Sequence, residues 1–200
     1  TLNSLEASGK FKIKRFVYAS SIYASSNEGG FYKCSKKAAE DYVEEYQKMY
    51  GLNYTILRFG SLYGPRADKT NGVYKIVYDA IKNKKLKYIG SKLSIRKYIH
   101  VNDAGRATAS ILGSKYKNKY INLSGSKSFK ITKLFEILSK ELNLIKKVLY
   151  QKKKYIGHYV KQPTAFKIRK SLKFKIKNEI SLKSGLKFLI NEIKNNEKFN

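Results

Sequence analysis

The sequence predicts an α/β protein built on a mainly parallel sheet. Short apolar runs rich in strand formers recur along the chain, and stretches with helical spacing of apolar residues separate them. No internal repeat or Pro/Gly-rich linker interrupts the alternation, and only two prolines occur. Strands separated by helices favour parallel pairing, because a parallel partner is reached by a crossover and not by a hairpin. Two hundred residues can bury one substantial core, or one domain with a smaller lobe attached.

The elements read off in order. Residues 1–9 carry Leu2, Leu5 and Ala7 and end at Gly9, the pattern of a helix with a glycine stop. A chain that opens inside a helix is expected to be preceded by further sequence. Residues 15–21 (RFVYASS) form an apolar run read as a buried strand. Residues 22–31 are polar and glycine-bearing, hence loop. Over residues 35–50, Ala38, Ala39, Tyr42, Val43, Tyr46, Met49 and Tyr50 recur at three and four, predicting an amphipathic helix with Gly51 as its stop and Tyr46 and Tyr50 as core candidates. Residues 53–59 (NYTILRF) predict a strand leading into the loop GSLYGPR. Ile76, Val77, Ala80 and Ile81 mark a second amphipathic helix; residues 96–101 (RKYIHV) predict a strand and 103–112 (DAGRATASIL) a short helix. Residues 120–123 predict a strand, and Leu134, Ile137, Leu138 and Leu142 a helix. The last forty residues are strongly basic, with a final helix around 186–193.

Composition removes several classes. Hydrophobic content of 42% and aromatic content of 14% belong to a folded chain. No apolar run approaches the ~20 residues needed to cross a bilayer, and no charged start followed by an apolar stretch suggests a signal peptide. The single Cys34 excludes an internal disulfide, and His100 and His158 lie too far apart for metal-ligand spacing. A cytoplasmic protein is expected. The net charge is +29, from 43 Lys and Arg against 14 Asp and Glu. These lysines are dispersed from Lys10 to Lys198 and form no stripe, and heavy use of Lys, Asn, Ile and Tyr matches an A/T-rich coding bias. Nucleic acid is therefore not the expected partner, whereas a basic cleft would attract a diphosphate-bearing small molecule.

Chemistry concentrates at Tyr32 and Lys36, four residues apart at a predicted helix start. That spacing puts both on one helical face, about 5–6 Å apart at Cβ. A Tyr hydroxyl, with a pKa of about 10, is a poor base at neutral pH, but an adjacent ammonium favours its phenolate. The same ammonium can hydrogen-bond a ribose hydroxyl. Ser21, at the end of the preceding strand, can hydrogen-bond the substrate oxygen whose proton moves. In a chain with 17 Tyr the Y-x-x-x-K spacing alone recurs by chance. Its context carries the weight: a strand ending in Ser-Ser before it, and a strand ending in a Gly-Pro loop after it.

The segments RFVYASS, FYKCSKKAAEDYVEEYQKMYGLNYTILRFGSLYGPR and RKYIHVNDAGRATASIL resemble, in order and spacing, the NAD-dependent epimerase/dehydratase family of extended short-chain dehydrogenases/reductases. The resemblance runs over about residues 1–145, and the basic tail from about residue 149 matches loosely. It implies the C-terminal part of a Rossmann-type parallel sheet plus a smaller α/β substrate-binding lobe. Residues 1–61, with roughly 94–112, correspond to the second half of an NAD-binding domain. Residues 62–93 and 113–200 correspond to the substrate lobe and basic tail.

Carried over by position, Tyr32 resembles the family's base, Lys36 its ribose-binding partner and Ser21 its substrate-hydroxyl partner. Ser21 is preferred to Ser20 by aligning SSIYAS with the family pattern S-S-x-x-V-Y. The backbone at Phe59 and Gly60 falls where the family contacts the nicotinamide, and Ser61 where many members place an Asn near the sugar diphosphate. Arg96 resembles the phosphate-binding Arg, and Arg66 is a second candidate anion contact or a solvated loop charge. Asp103 is expected to cap the helix that follows it, and His100 to be packed. Cys34 has no expected chemistry.

The resemblance implies NAD as cofactor, with NADP as the variant, a nucleotide-sugar substrate and a homodimer through two helices, one of them carrying the Tyr42–Met49 stripe. The family's G-x-x-G-x-x-G pyrophosphate loop is absent from these 200 residues, so the chain is expected to be a fragment, inactive alone. Dehydratases of the family place an acidic pair after the catalytic hydroxyl. Ile22 and Tyr23 stand there instead, which favours epimerisation. A dehydratase, decarboxylase or NADP-linked reductase is the enzymatic alternative; a nucleic-acid-binding or sensor protein on the same fold is the other.

Overall fold

A computed structural model describes residues 1–145, 147–151 and 171–196. The readings for His158 and for most of the basic tail lie outside these residues.

The central sheet has four strands, all parallel, in the order β1-β2-β7-β10. These are β1 (Phe16–Ser21), β2 (Tyr54–Phe59), β7 (Lys119–Leu123) and β10 (Ser171–Lys173). Helices cover both faces, and alternation along β2 shows how. Ile56 packs with Leu5 of α1 (Leu2–Lys10) and with Ala39 and Val43 of α2 (Gly30–Tyr50). Its neighbour Leu57 packs on the opposite face with Ala104, Ala107 and Ile111, of which the first two lie on α4 (Val101–Ser110). A strand buried on both sides reads as a continuous apolar run, which is why NYTILRF was legible.

A third cluster forms the lobe. Here α3 (Gly72–Asn83), α5 (Ile131–Glu141) and α6 (Leu182–Asn196) pack through Val77, Ala80, Leu134, Phe135, Leu138, Leu186 and Leu189. Three two-stranded ladders make up the remaining described strands. In these, β3 (Ser61–Tyr63) pairs in parallel with β6 (Tyr98–His100), and β4 (Leu86–Ile89) in parallel with β9 (Val148–Gln151). The third, β5 (Ile95–Arg96) with β8 (Phe129–Lys130), is antiparallel. The boundary drawn at residue 113 falls ahead of β7 and β10, which complete the central sheet.

Several expectations are corrected. Residues 22–31 are not all loop: Ile22–Ser25 form a 3-10 turn, and α2 already begins at Gly30. The single strand expected over 96–101 is two strands broken at Lys97, because Arg96 bonds to β8 and Tyr98 to β3; Val101 is already helical. The stripe on α2 is also narrower than its spacing suggested. Ala39 and Val43 are buried and Tyr46 half-buried, but Ala38, Tyr42, Met49 and Tyr50 are exposed. The exposed positions alternate with the buried ones along the helix, so they lie on the face turned from the sheet, where Tyr50 meets the Tyr46 ring at 5.2 Å.

Candidate active site

β1 ends at Ser20 and Ser21, which point to opposite sides, as neighbours on a strand must. Ser20 faces α2 and donates from Oγ to Glu40 Oε1 at 2.5 Å. Ser21 faces a cavity of about 440 Å³, and its Oγ accepts the Tyr23 N–H at 3.3 Å. The pleat thus gives a physical reason to prefer Ser21 over Ser20. Gly29, the N-cap residue of α2, has φ +103°, a left-handed conformation that favours glycine. A Cβ there would lie 2.8 Å from Tyr23 Cδ1, so a side chain at this position would have to displace the Tyr23 ring.

Tyr32 stands in the first turn of α2, half-exposed, and lines the same cavity as Ser21. Its ring meets Tyr23 edge-on at 6.0 Å. Lys36 follows one turn later. Its Nζ donates to Ala19 O at 2.9 Å and sits 5.8 Å from the Tyr32 ring centroid and 5.2 Å from that of Tyr18. The ammonium is therefore anchored to the β1 backbone within electrostatic reach of Tyr32.

Gly60 and Ser61 close the cavity from the end of β2. Gly60 donates its N–H to Leu123 O at 2.7 Å. A Cβ at Gly60 would approach Ser124 Cβ to 2.8 Å and Lys97 O to 3.3 Å, so the chain here presents backbone only. Phe59 is half-buried against the α4 face of the sheet. Arg96 is buried, donates from Nη1 to Ile95 O at 3.0 Å and lines the cavity. Lys75 of α3 and Lys87 of β4 line it too, with Asp79 the one carboxylate among the described lining residues. Three cations against one acid make the cavity electropositive. Nothing in the dispersed lysine pattern singles out Lys75 and Lys87, so sequence reading missed them; only α3 and β4 coming together reveals them.

Arg66 is placed elsewhere. It is an exposed loop residue with φ +62°, its backbone N–H bonded to Glu192 Oε1 at 2.7 Å, and it is not among the cavity-lining residues. The capping role expected of Asp103 belongs to His100, whose Nδ1 accepts the Asn102 N–H at 3.2 Å. Asp103 lies one turn too deep to cap. Fully buried, it pairs with Arg106 and accepts the Ile180 N–H at 2.8 Å, tying α4 to the start of α6. His100 is packed, as expected, against Tyr63 and Phe188. Burial pushes its imidazole below the usual value, with Asp103 opposing that shift and Arg106 adding to it. Cys34 is exposed and free. No metal-ligating cluster and no helix long and apolar enough to cross a membrane occur among the described residues.

Ser21 at the carboxyl end of β1, with Tyr32 and Lys36 in the first turns of the helix that follows, stands on a parallel sheet covered on both faces, the arrangement of a doubly wound α/β fold. The chain belongs to the NAD dependent epimerase/dehydratase family, whose sequence model matches residues 1–124. A protein of Methanocaldococcus jannaschii provisionally named UDP-glucose 4-epimerase is 30% identical over 99% of this chain and 69% of its own length. UDP-glucuronate 4-epimerase of Thermodesulfobacterium geofontis is 29% identical over 98% of this chain and 64% of its own. Among solved structures, the dTDP-glucose 4,6-dehydratase of Bacillus anthracis superposes with a TM-score of 0.81 at 20% identity, covering 99% of this chain and 67% of that one. The Thermotoga maritima UDP-glucose 4-epimerase gives 0.76 at 23%, covering 96% and 67%. These superpositions establish the fold, and the chain spans about two thirds of each relative's length.

Proposed function

We propose that this chain carries the catalytic base and substrate lobe of an NAD-dependent nucleotide-sugar epimerase of the cytoplasm. The observation that carries the reading is Ser21 and Tyr32 on one electropositive cavity, with the Lys36 ammonium fixed beside the Tyr32 ring. Ser21 Oγ hydrogen-bonds the reacting sugar hydroxyl, and Tyr32 Oη removes its proton. Lys36 favours the phenolate that does so. Arg96, Lys75 and Lys87 hold the diphosphate, Arg96 through its planar fork of donors, and Ser61 lies beside it.

The residues present fit one end of NAD. Lys36 and Tyr32 suit the nicotinamide ribose, and the side-chain-free backbone at Gly60, next to Phe59, suits the nicotinamide amide. The cofactor, when bound, supplies a reversible hydride acceptor at the sugar carbon. No glycine-rich loop for its pyrophosphate occurs in these 200 residues, so the chain alone is proposed to bind NAD poorly and to turn over no sugar. Ile22 and Tyr23 follow Ser21 without a carboxyl group between them, which favours epimerisation over dehydration. The exposed Tyr42, Met49 and Tyr50 on α2 support a homodimer through that helix.

In the parent protein, UDP-glucose and UDP-galactose are expected to interconvert, and absence of turnover with every nucleotide sugar refutes the reading. Tyr32→Phe is expected to lower kcat by about 100-fold or more with substrate affinity retained; a pure binding protein would show no such loss. Micromolar NAD binding by the isolated chain in calorimetry contradicts the proposal that it lacks a complete cofactor site.

A further inference from the structure

We propose that Glu40 is a positioning residue for the catalytic set. Its carboxylate fixes α2 against the ends of β1 and β2, and thereby sets where Tyr32 and Lys36 stand relative to Ser21. The proposal rests on the roles given above to those three residues.

Tyr32, Lys36, Glu40 and Glu44 are spaced by four along α2 and share one face. Each of the last three is tied to a different part of the sheet. Lys36 Nζ donates to Ala19 O of β1. Glu40, fully buried, accepts from Ser20 Oγ of β1 at 2.5 Å and from Arg58 of β2 twice, Nε to Oε1 at 2.8 Å and Nη2 to Oε2 at 2.6 Å. Glu44 accepts from the Tyr120 hydroxyl of β7 at 2.7 Å. The Arg58 guanidinium lies 4.5 Å over the Tyr120 ring, so the two carboxylates are linked through β2 and β7.

The placement of the Glu40 contacts is what points to the active site. Ser20 and Arg58 are register partners across the β1–β2 ladder. Ser20 immediately precedes Ser21, and Arg58 immediately precedes Phe59 and Gly60. One carboxylate thus grips the rung directly behind the residues that line the cavity. From the same carboxylate, one helical turn reaches Lys36 and two reach Tyr32. A shift of α2 along the sheet would move the base and its ammonium together, away from Ser21 and Gly60.

Stability alone gives a poor account of this pair. Burying an ion pair costs desolvation that its attraction roughly offsets, and apolar residues of similar volume often do as well. Arg58 Nη1, also buried, has no hydrogen-bond partner among the described residues, a further cost. Bidentate geometry supplies directional constraint, which an apolar contact would not.

The test is steady-state kinetics of the parent enzyme with UDP-glucose or UDP-galactose, well below its melting temperature. Glu40→Gln is expected to lower kcat about 10- to 100-fold, the scale of a misplacement of about 1 Å, with KM changed less than about twofold. Ser20→Ala removes one contact without unpairing Arg58 and folds more readily; a kcat loss of about 3- to 10-fold with KM retained is expected. In a Tyr32→Phe background, Glu40→Gln should cost little further rate, because its effect acts through Tyr32. A merely structural Glu40 would lower the melting temperature and leave kcat unchanged in both variants, and that result overturns the proposal. Tyr32→Phe at the wild-type rate, or no turnover of any nucleotide sugar by the parent, overturns the catalytic reading and this proposal with it. Tyr32→Phe inactive beside a fully active Ser20→Ala and Glu40→Gln overturns this proposal alone.

Discussion

Gly185→Ala is the substitution whose effect the structure specifies most sharply. Gly185 lies in α6, where alanine ordinarily gains about 1 kcal/mol over glycine. Here an added Cβ would run into the Tyr63 hydroxyl and come within 2.8 Å of both Tyr63 Cε2 and His100 Cδ2. Neither ring can yield. Tyr63 is 3% exposed and His100 1%, and Tyr63 meets Tyr98 and His100 edge-on at 6.0 and 5.4 Å. Overpacking of this kind costs about 1–3 kcal/mol, and rigid rings put it in the upper half of that range. Subtracting the propensity gain leaves a net destabilisation of about 1–2 kcal/mol, or roughly 2–8 °C in Tm for a chain of this size. Gly105 of α4 is the matched control, since nothing lies within 4 Å of a Cβ placed there. Gly105→Ala should raise Tm by roughly 2–4 °C. Thermal unfolding followed by circular dichroism reads both. Equal or higher Tm for Gly185→Ala would refute the close approach of α6 to β3 and β6.

Other consequences are as direct. The buried imidazole of His100 titrates below its unfolded value of 6.5, so folding releases a proton near that pH. Its contribution to stability is complete above about pH 6.5 and is lost as pH falls through the folded value. His100→Asn keeps an acceptor for the Asn102 N–H and removes the titration. The drop in urea midpoint from pH 7.5 to 5 should be smaller in the variant, and equal drops would contradict the assignment. Gly29→Ala is strained by its φ and displaces the Tyr23 ring that packs edge-on to Tyr32. It should cost about 1–3 kcal/mol, read as a lower urea midpoint. Leu134→Ala, in a fully buried position of the lobe core, should cost about 3–5 kcal/mol; a loss under 1 kcal/mol would mean that the lobe core is not packed as described.

What the sequence made legible was local. The runs RFVYASS and NYTILRF, and the helix between them, announce themselves by composition and spacing because each is decided within a few residues. Ser21, Tyr32 and Lys36 share that property, since one strand end and one helix start deliver all three. What escaped depends on distant partners. RKYIHV reads as one strand, and only its two different neighbours, β8 and β3, break it at Lys97. Asp103 has the residue type of a cap, but His100 already occupied the position where the chain enters the helix. Tyr42, Met49 and Tyr50 keep helical spacing yet stand exposed, and spacing cannot report how wide a stripe the sheet covers. The clearest unused signal was Arg58, a charge inside an apolar strand, which calls for a buried partner; that partner is Glu40.

The strand order has a consequence for how the protein is made. Ile56 pairs with Tyr120, and Tyr120 with Ser171. No pair in this sheet is closed by a hairpin, so each ladder forms only after a long segment has emerged and been ordered, the condition that slows folding. During synthesis from the amino terminus, Ser21, Tyr32 and Lys36 leave the ribosome long before Leu123, whose carbonyl receives the Gly60 N–H. The proposed base is therefore made early, and the strand that anchors Gly60 late. A nascent chain holds these three side chains well before Gly60, which lines the same cavity as Ser21 and Tyr32, is fixed to β7.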